Sequence, residues 1–328
     1  MSSGDSAIFR FNFSVEEEEE DEVMMTSDDE KNITNSEEHS KITFHPSIST
    51  NSDQSTNHDD SSSNLAPFEI VKIPKLDEIN YLKQFSIEWR GGLMKYINIT
   101  TKLQHEHHIS QTTNSDIVKN KYEGGFKLWE CSEDLVEYLM NNLKFVHEFV
   151  KNRNVLELGC GHALPAIYCL LKGGAKKCAF QDYNKEVIEL LSIPNLLLNM
   201  SCSLTSSDHS HPSAPLLLDD TQCQFFSGDW VSMSEQSIIQ HEYDLIIMSD
   251  TIYSVGSYEK LYRVIRSAIK PGGKLLVGAK SYYFGCGGST QQFIHFVKQK
   301  DCHVQVETLK DIRDGVSNVR EILLFTFP

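Results

Sequence analysis

The stretch VLELGCGHALP, residues 155–165, places Gly159 and Gly161 directly after an apolar β-type run and directly before a helical pattern. Residues without side chains at such a junction let backbone N–H groups come close to a ligand. A dinucleotide fingerprint would need a third glycine at position 164, where Leu164 stands, so a pyrophosphate loses support. A nucleotide or nucleoside site remains open against a plain tight turn. Asp182 follows Gly161 by 21 residues at the end of the next β-type run, where a carboxylate can accept both hydrogens of a ribose diol. The run after that ends in Gly228-Asp229-Trp230, a carboxylate and an indole suited to the edge and face of an adenine. Taken singly, Asp182 can be a turn residue and Trp230 a core residue. Their recurrence at successive strand C-termini favours a ligand at that edge. The eight cysteines (131, 160, 169, 178, 202, 223, 286 and 302) show no CxxC and no Cys/His clustering at zinc spacing, so reduced thiols and no metal site are expected.

The elements that must hold these residues are legible from about residue 151 onward. NVLELG (154–159), KCAFQDY (177–183), CQFFSGDW (223–230), YDLIIMSD (243–250), KLLVGAK (274–280), HVQVETL (303–309) and EILLFTF (321–327) alternate with helical patterns, which predicts a parallel sheet with crossover helices. PAIYCLL stops at Gly173–Gly174, Asn184 is placed to cap KEVIELL, and Ser257 to cap YEKLYRVIRSAI. DIRDGVSN is too short for a crossover helix, so the last two strands should form an antiparallel hairpin. Residues 201–222, rich in Ser, His, Asp and Pro, read as a surface insertion.

Upstream the composition changes. Residues 1–66 hold sixteen Asp and Glu against three Lys and Arg, a net of −13 out of −16 for the chain, with few residues able to form a core. This predicts a disordered acidic tail, either simply solvated or in contact with a basic partner. IFRFNFSV within it can be a docking strand or a frayed terminus. Residues 67–120 are expected as an N-terminal extension packing on a domain that spans 121–328. No run of 18 apolar residues and no signal-like start appear, and neither tail nor domain has a basic surplus. Membrane insertion and direct nucleic-acid binding are therefore not expected.

With ELGCG, an acidic end to the second strand, GDW, PGGKLLV and a terminal hairpin, residues 151–328 resemble the seven-strand S-adenosylmethionine-dependent methyltransferases. That resemblance implies a Rossmann-like α/β fold and S-adenosyl-L-methionine as cofactor. A cationic sulfonium without phosphate also suits an acidic rim of Glu130, Glu157, Asp182 and Asp229. YEGGFKLWECSEDL (122–135), SDTIY (249–253) and KSYYFGCGGS (280–289), with FRFNF and SDIV upstream, resemble one subfamily, the protein-histidine N-methyltransferases.

The subfamily resemblance implies cofactor contacts from Leu128, Trp129, Glu130, Cys131 and Ser132, from Gly159, from Gln181, Asp182 and Tyr183, from Gly228, Asp229 and Trp230, and from Ser249. Gly161 joins them as the second glycine of the loop. It also implies, as acceptor, a histidine of the third large-subunit ribosomal protein, and a monomer of cytoplasm and nucleus. Members commonly carry Glu where Asp250 stands, which keeps a carboxylate but shortens its reach by one methylene. Asp250 is the candidate that orients the acceptor imidazole, and Tyr253 and Tyr283 join it as catalytic candidates. Tyr253, Tyr282, Tyr283 and Phe284 can form a flat slot for the ring beside Gly285, Gly287 and Gly288. A protein-lysine methyltransferase and a non-catalytic cofactor-binding module at the ribosome are the alternatives.

Overall fold

A computed structural model describes residues 66–72, 83–89, 92–98, 123–203, 221–315 and 317–328. The expected acidic tail up to residue 65, most of the linking stretches in 73–122 and most of the insertion at 201–222 lie outside the described residues.

Among the described residues ten strands are formed: β1 (Glu69–Val71), β2 (Lys83–Trp89), β3 (Gly92–Asn98), β4 (Asn154–Leu158), β5 (Lys177–Asp182), β6 (Cys223–Ser227), β7 (Tyr243–Ser249), β8 (Ile269–Lys280), β9 (Gln305–Ile312) and β10 (Arg320–Thr326). Eight of them make one sheet in the order β1-β6-β5-β4-β7-β8-β10-β9, and β2 pairs with β3 separately. β6, β5, β4, β7 and β8 run parallel, whereas β10 is antiparallel to both β8 and β9. This is the mostly parallel seven-strand sheet with a terminal hairpin, extended by β1 antiparallel on the β6 edge.

Both faces of the parallel strands are covered, so their sequences read as continuous apolar runs. Within a strand the faces still alternate. Val155, Leu245 and Ile247 join one core with Leu135, Leu139 and Ile167. Leu156, Ile246 and Met248 join the other with Leu261, Ile265 and Phe293. The first core lies against α1 (Glu130–Asn141), α2 (Leu143–Phe149), α3 (Leu164–Leu171) and α5 (Ile193–Ser203), which follows α4 (Lys185–Val187). The second lies against α6 (Trp230–Ser234), α7 (Tyr258–Ala268) and α8 (Thr290–Lys300).

Three local departures matter for the site. α1 begins at Glu130, inside the WECS stretch, and Gly278 of β8, which lacks a side chain, lets the helix settle on the strand: a Cβ there would lie 2.8 Å from Leu135 Cγ and 3.1 Å from the Cys131 carbonyl. Between α4 and α5 the chain makes a π-helical turn, Ile188–Ser192. That turn brings the Ser192 hydroxyl within 2.7 Å of the Gly161 carbonyl, to which it donates. Ser257 precedes α7 but its hydroxyl donates to the Ser254 carbonyl instead of capping the helix. Asp229 caps α6 with its side chain, accepting from the Val231 N–H at 2.8 Å.

α5 also grips the upstream segment. Asn195 and Asn199, one turn apart, present their amides to the edge of β3: Asn195 Oδ1 accepts from the Ile97 N–H at 2.7 Å, and Asn199 bonds both the N–H and the carbonyl of Lys95. Asn195 Nδ2 then donates to the His162 carbonyl, tying the β2–β3 pair to the glycine loop.

Candidate active site

The chain moves outward from β4 to β5 and β6, then returns to place β7 on the other side of β4. That reversal opens a crevice at the strand C-termini, the usual ligand position in an open α/β sheet. A cavity of about 630 Å³ fills it, within the range of small-molecule sites.

The glycine loop forms its floor. Gly159 and Gly161 have φ of +63° and +49°. A Cβ on Gly159 would lie 2.7 Å from Thr251 Cγ2, and one on Gly161 would lie 3.2 Å from the Gly125 carbonyl. Glycine is required at both positions by conformation and by space. The Gly124–Gly125 turn of YEGGFKLWECS thus crosses directly over Gly161. Trp129 is fixed in that crossing by its indole N–H, which donates to the Gly124 carbonyl at 3.0 Å.

At the end of β5, Asp182 accepts from the Gly161 N–H at 3.0 Å and from the Asn184 N–H at 3.2 Å. Burial raises its pKa from 3.8 to about 6, the backbone N–H groups of Gly161, Asn184 and Tyr183 pull against that, and Glu123 adds to the rise. Gln181 braces the wall from behind: its Oε1 accepts from the Gly159 N–H and the Trp230 indole, and its Nε2 donates to the Gly228 carbonyl. Asp229 gives one oxygen to the α6 cap and the other to Lys260 Nζ at 3.0 Å.

On the far side of the cavity, Asp250 follows β7 with φ of +51°, a left-handed conformation held by its N–H bond to the Gly278 carbonyl at 3.0 Å. Oδ2 accepts from the Cys131 N–H at 3.2 Å and Oδ1 from the Tyr283 hydroxyl at 2.8 Å. Burial raises the Asp250 pKa; Lys280, the Tyr283 hydroxyl and the Cys131 side chain oppose the rise. Lys280 is itself buried, 3.1 Å from Glu130 and 5.3 Å from the Trp129 ring centre. Burial pushes the Glu130 carboxyl up, but Lys280, the residue's own backbone N–H and Lys127 together outweigh it and leave the group below its ordinary value. Tyr253 donates a short hydrogen bond to Glu123, joining β7's loop to the segment above it.

Of the residues expected at the cofactor, Leu128, Trp129, Ser132, Gly159, Gly161, Asp182, Tyr183, Asp229, Trp230 and Ser249 line this cavity, as do Asp250 and Tyr253. Glu130, Cys131, Gln181, Gly228 and Tyr283 do not line it: Cys131 and Tyr283 bond Asp250, Gln181 bonds Gly159 and Trp230, and Gly228 and Glu130 bond Gln181 and Lys280 in turn. Two readings are corrected. Glu157 is not on an acidic rim: it is fully buried, accepts from the Ala166 N–H at the start of α3, and has its pKa raised by that burial to about 8. The four aromatic residues do not form one slot, since Tyr253 lines the cavity, Tyr283 is buried behind Asp250, and Tyr282 and Phe284 face solvent.

Glu123, Lys127, His162, Thr251 and Lys260 also line the cavity and were not anticipated there. Burial lowers the His162 pKa to about 4, which makes it neutral at cellular pH. The buried hydroxyl oxygens of Ser132 and Thr251, both in lining residues, have no hydrogen-bond partner. Such groups are normally satisfied, so they mark positions a polar ligand would complete. Among the described residues no group of three or more His, Cys, Asp and Glu is arranged to hold a metal ion.

A parallel sheet with this reversal, a glycine floor and an acidic strand-two end define the S-adenosyl-L-methionine-dependent methyltransferase class, and the cofactor of that class fits the donor set. Glu123, Asp182 and Asp250 line the cavity and would suit a cationic sulfonium there, and the unpartnered Ser132 and Thr251 hydroxyls would meet its polar groups. A family model described as "Lysine methyltransferase" matches residues 111–300. The chain is 40% identical to the histidine protein methyltransferase 1 homolog of Dictyostelium discoideum over 65% of its own length and 60% of the relative's. It is 34% identical to the homolog of Bos taurus over 82% and 78% of the two chains. To histidine protein methyltransferase 1 of Schizosaccharomyces pombe it is 36% identical over 64% and 67%. The chain belongs to the histidine protein methyltransferase 1 family.

Proposed function

We propose that this chain transfers a methyl group to an imidazole nitrogen of a protein histidine, and that the acceptor is a large-subunit ribosomal protein. The observation that carries the reading is the buried Asp250 carboxylate at the cavity wall, braced by the Tyr283 hydroxyl and the Cys131 N–H. The names of the relatives support the acceptor type, and the family resemblance of WECS, SDTIY and KSYYFGCGGS supports the ribosomal choice. In this reading the molecule is a monomer of cytoplasm and nucleus, where ribosomal proteins are made and assembled.

Bound in the cavity, the cofactor supplies an electrophilic methyl group on a sulfonium. Asp182 would hold the ribose, Asp229 and Trp230 would meet the adenine, and Trp129, Ser132 and the glycine floor would hold the amino-acid end. The acceptor needs little activation, because imidazole titrates near pH 6.5 and is largely neutral at cellular pH. The chain therefore has to orient rather than deprotonate. Each Asp250 oxygen accepts one bond and keeps a further lone pair. One of these accepts the far ring N–H, fixes the tautomer that presents its bare nitrogen, and stabilises the imidazolium product. Trp129 and Tyr253 exclude water around the ring.

A lysine acceptor, which the family model's description favours, would instead require loss of an ammonium proton before attack. Paired peptides decide between them. Transfer from labelled S-adenosylmethionine to a histidine peptide and not to its lysine counterpart is expected; the opposite preference would overturn the proposal.

A further inference from the structure

We infer that the loops bearing Val255 and Phe284 form an apolar docking rim that grips the acceptor polypeptide beside its target residue. The inference rests on the protein-methyltransferase reading above and adds to it a surface outside the chemistry.

Six large apolar side chains are exposed among the described residues, and three of them, Val255 (51%), Tyr282 (43%) and Phe284 (61%), sit on the loops after β7 and β8. Tyr282 and Phe284 pack edge to face at 5.0 Å, so they present one continuous surface rather than two isolated side chains. The same two loops give Ser254, Gly256, Gly285 and Cys286 to the cavity lining. The exposed apolar surface therefore begins where the cavity opens.

The rim is stiff. An isolated β-bridge joins Ser254 to Gly287, and the Gly288 N–H donates to the Tyr253 carbonyl at 2.9 Å. A Cβ on Gly288 would come within 2.2 Å of the Ile252 carbonyl, which measures how closely the loops are pressed together. Above this seam Gly287, with φ of +81°, would meet nothing within 4 Å of an added Cβ. A passing backbone has room there.

A histidine side chain is short, so bringing its ring into the cavity forces the acceptor's own backbone down onto the rim. Neighbouring residues of an extended chain then lie about 3.3 Å apart along it. One or two of them must rest against Val255 and Phe284. The occupant that fits is an acceptor segment carrying an apolar side chain within a residue or two of the methylated position. Aromatic anchors of this kind usually account for a large part of an interface's affinity.

The test uses the full chain with purified large-subunit ribosomal proteins as acceptor. Phe284→Ser and Val255→Ser should each raise KM for the labelled protein at least about fivefold, with kcat within about twofold of wild type and S-adenosylhomocysteine affinity unchanged, while Phe284→Leu restores the wild-type KM. An unchanged KM overturns the rim, as does a loss of S-adenosylhomocysteine affinity. A wild-type dimer in sedimentation that Phe284→Ser splits overturns it in favour of a second copy. If the labelled residue is lysine, the histidine reading fails while the KM comparison still decides the rim. If wild type labels no protein, both fail.

Discussion

Asp182 offers a quantitative test because two demands on it conflict. Burial disfavours its charge and lifts its pKa from 3.8 to about 6, which costs the folded chain about 3 kcal/mol once the pH exceeds 6. Its proposed work, accepting the ribose hydroxyls, needs the ionised form. The sign follows: stability owed to this group is present below its unfolded pKa and lost as pH rises through 6, while cofactor affinity does the reverse. At pH 7 about nine-tenths of the free chain carries the charge, and at pH 5 about one-tenth, so affinity should fall roughly tenfold between them. Asp182→Asn keeps an acceptor for the Gly161 N–H but removes the charge, and hydrogen bonds to a charged group are worth about 1.5–3 kcal/mol. Its affinity at pH 7.5 should therefore drop on the order of 10- to 150-fold and lose its dependence on pH. Calorimetric titration with S-adenosylhomocysteine measures both. An affinity flat from pH 7.5 to 5 in the wild type, or a variant that binds as tightly as wild type, would refute the reasoning.

Other perturbations probe the layers behind the cavity. Tyr283→Phe removes the hydroxyl that steadies the Asp250 carboxylate, so the acidic limb of the kcat/KM profile should move to higher pH while S-adenosylhomocysteine still binds; an unmoved limb would detach Tyr283 from the chemistry. Gly288→Ala forces a methyl against the Ile252 and Tyr253 backbone and should lower stability by about 1–3 kcal/mol or more, read as a fall in Tm. Asn195→Ala leaves the Ile97 N–H and the His162 carbonyl without partners and should cost about 2 kcal/mol or more in chemical denaturation, with weakened cofactor binding through the loop at His162.

Much of the sheet was legible because buried parallel strands are written as unbroken apolar runs, and all seven runs from NVLELG to EILLFTF became strands. β1 was not, since three residues inside FEIVKIP carry too little pattern to separate an edge strand from a loop. β8 begins earlier than KLLVGAK suggests. Pro271-Gly272-Gly273 reads as a turn, yet it forms an irregularity inside a strand whose pairing jumps from Tyr243–Ile269 to Leu245–Lys274. In the site, residues with a local signature were found: glycines between strand and helix, and acids at strand ends. The pairings between distant residues were not. Tyr253 and Glu123 are 130 positions apart, and Cys131 and Asp250 are 119 apart. Asp229 shows the limit of spacing arguments, because a residue read for adenine also caps α6 and pairs with Lys260.

The central claim is the identity of the methylated atom. Purified chain, labelled S-adenosylmethionine and salt-washed large-subunit ribosomal proteins, followed by complete hydrolysis and separation of the amino acids, reads it directly. Label recovered as methylhistidine, abolished in Asp250→Asn while that variant still binds S-adenosylhomocysteine, is the predicted result. Label recovered as methyllysine, or methylhistidine formed at the wild-type rate by Asp250→Asn, would contradict it.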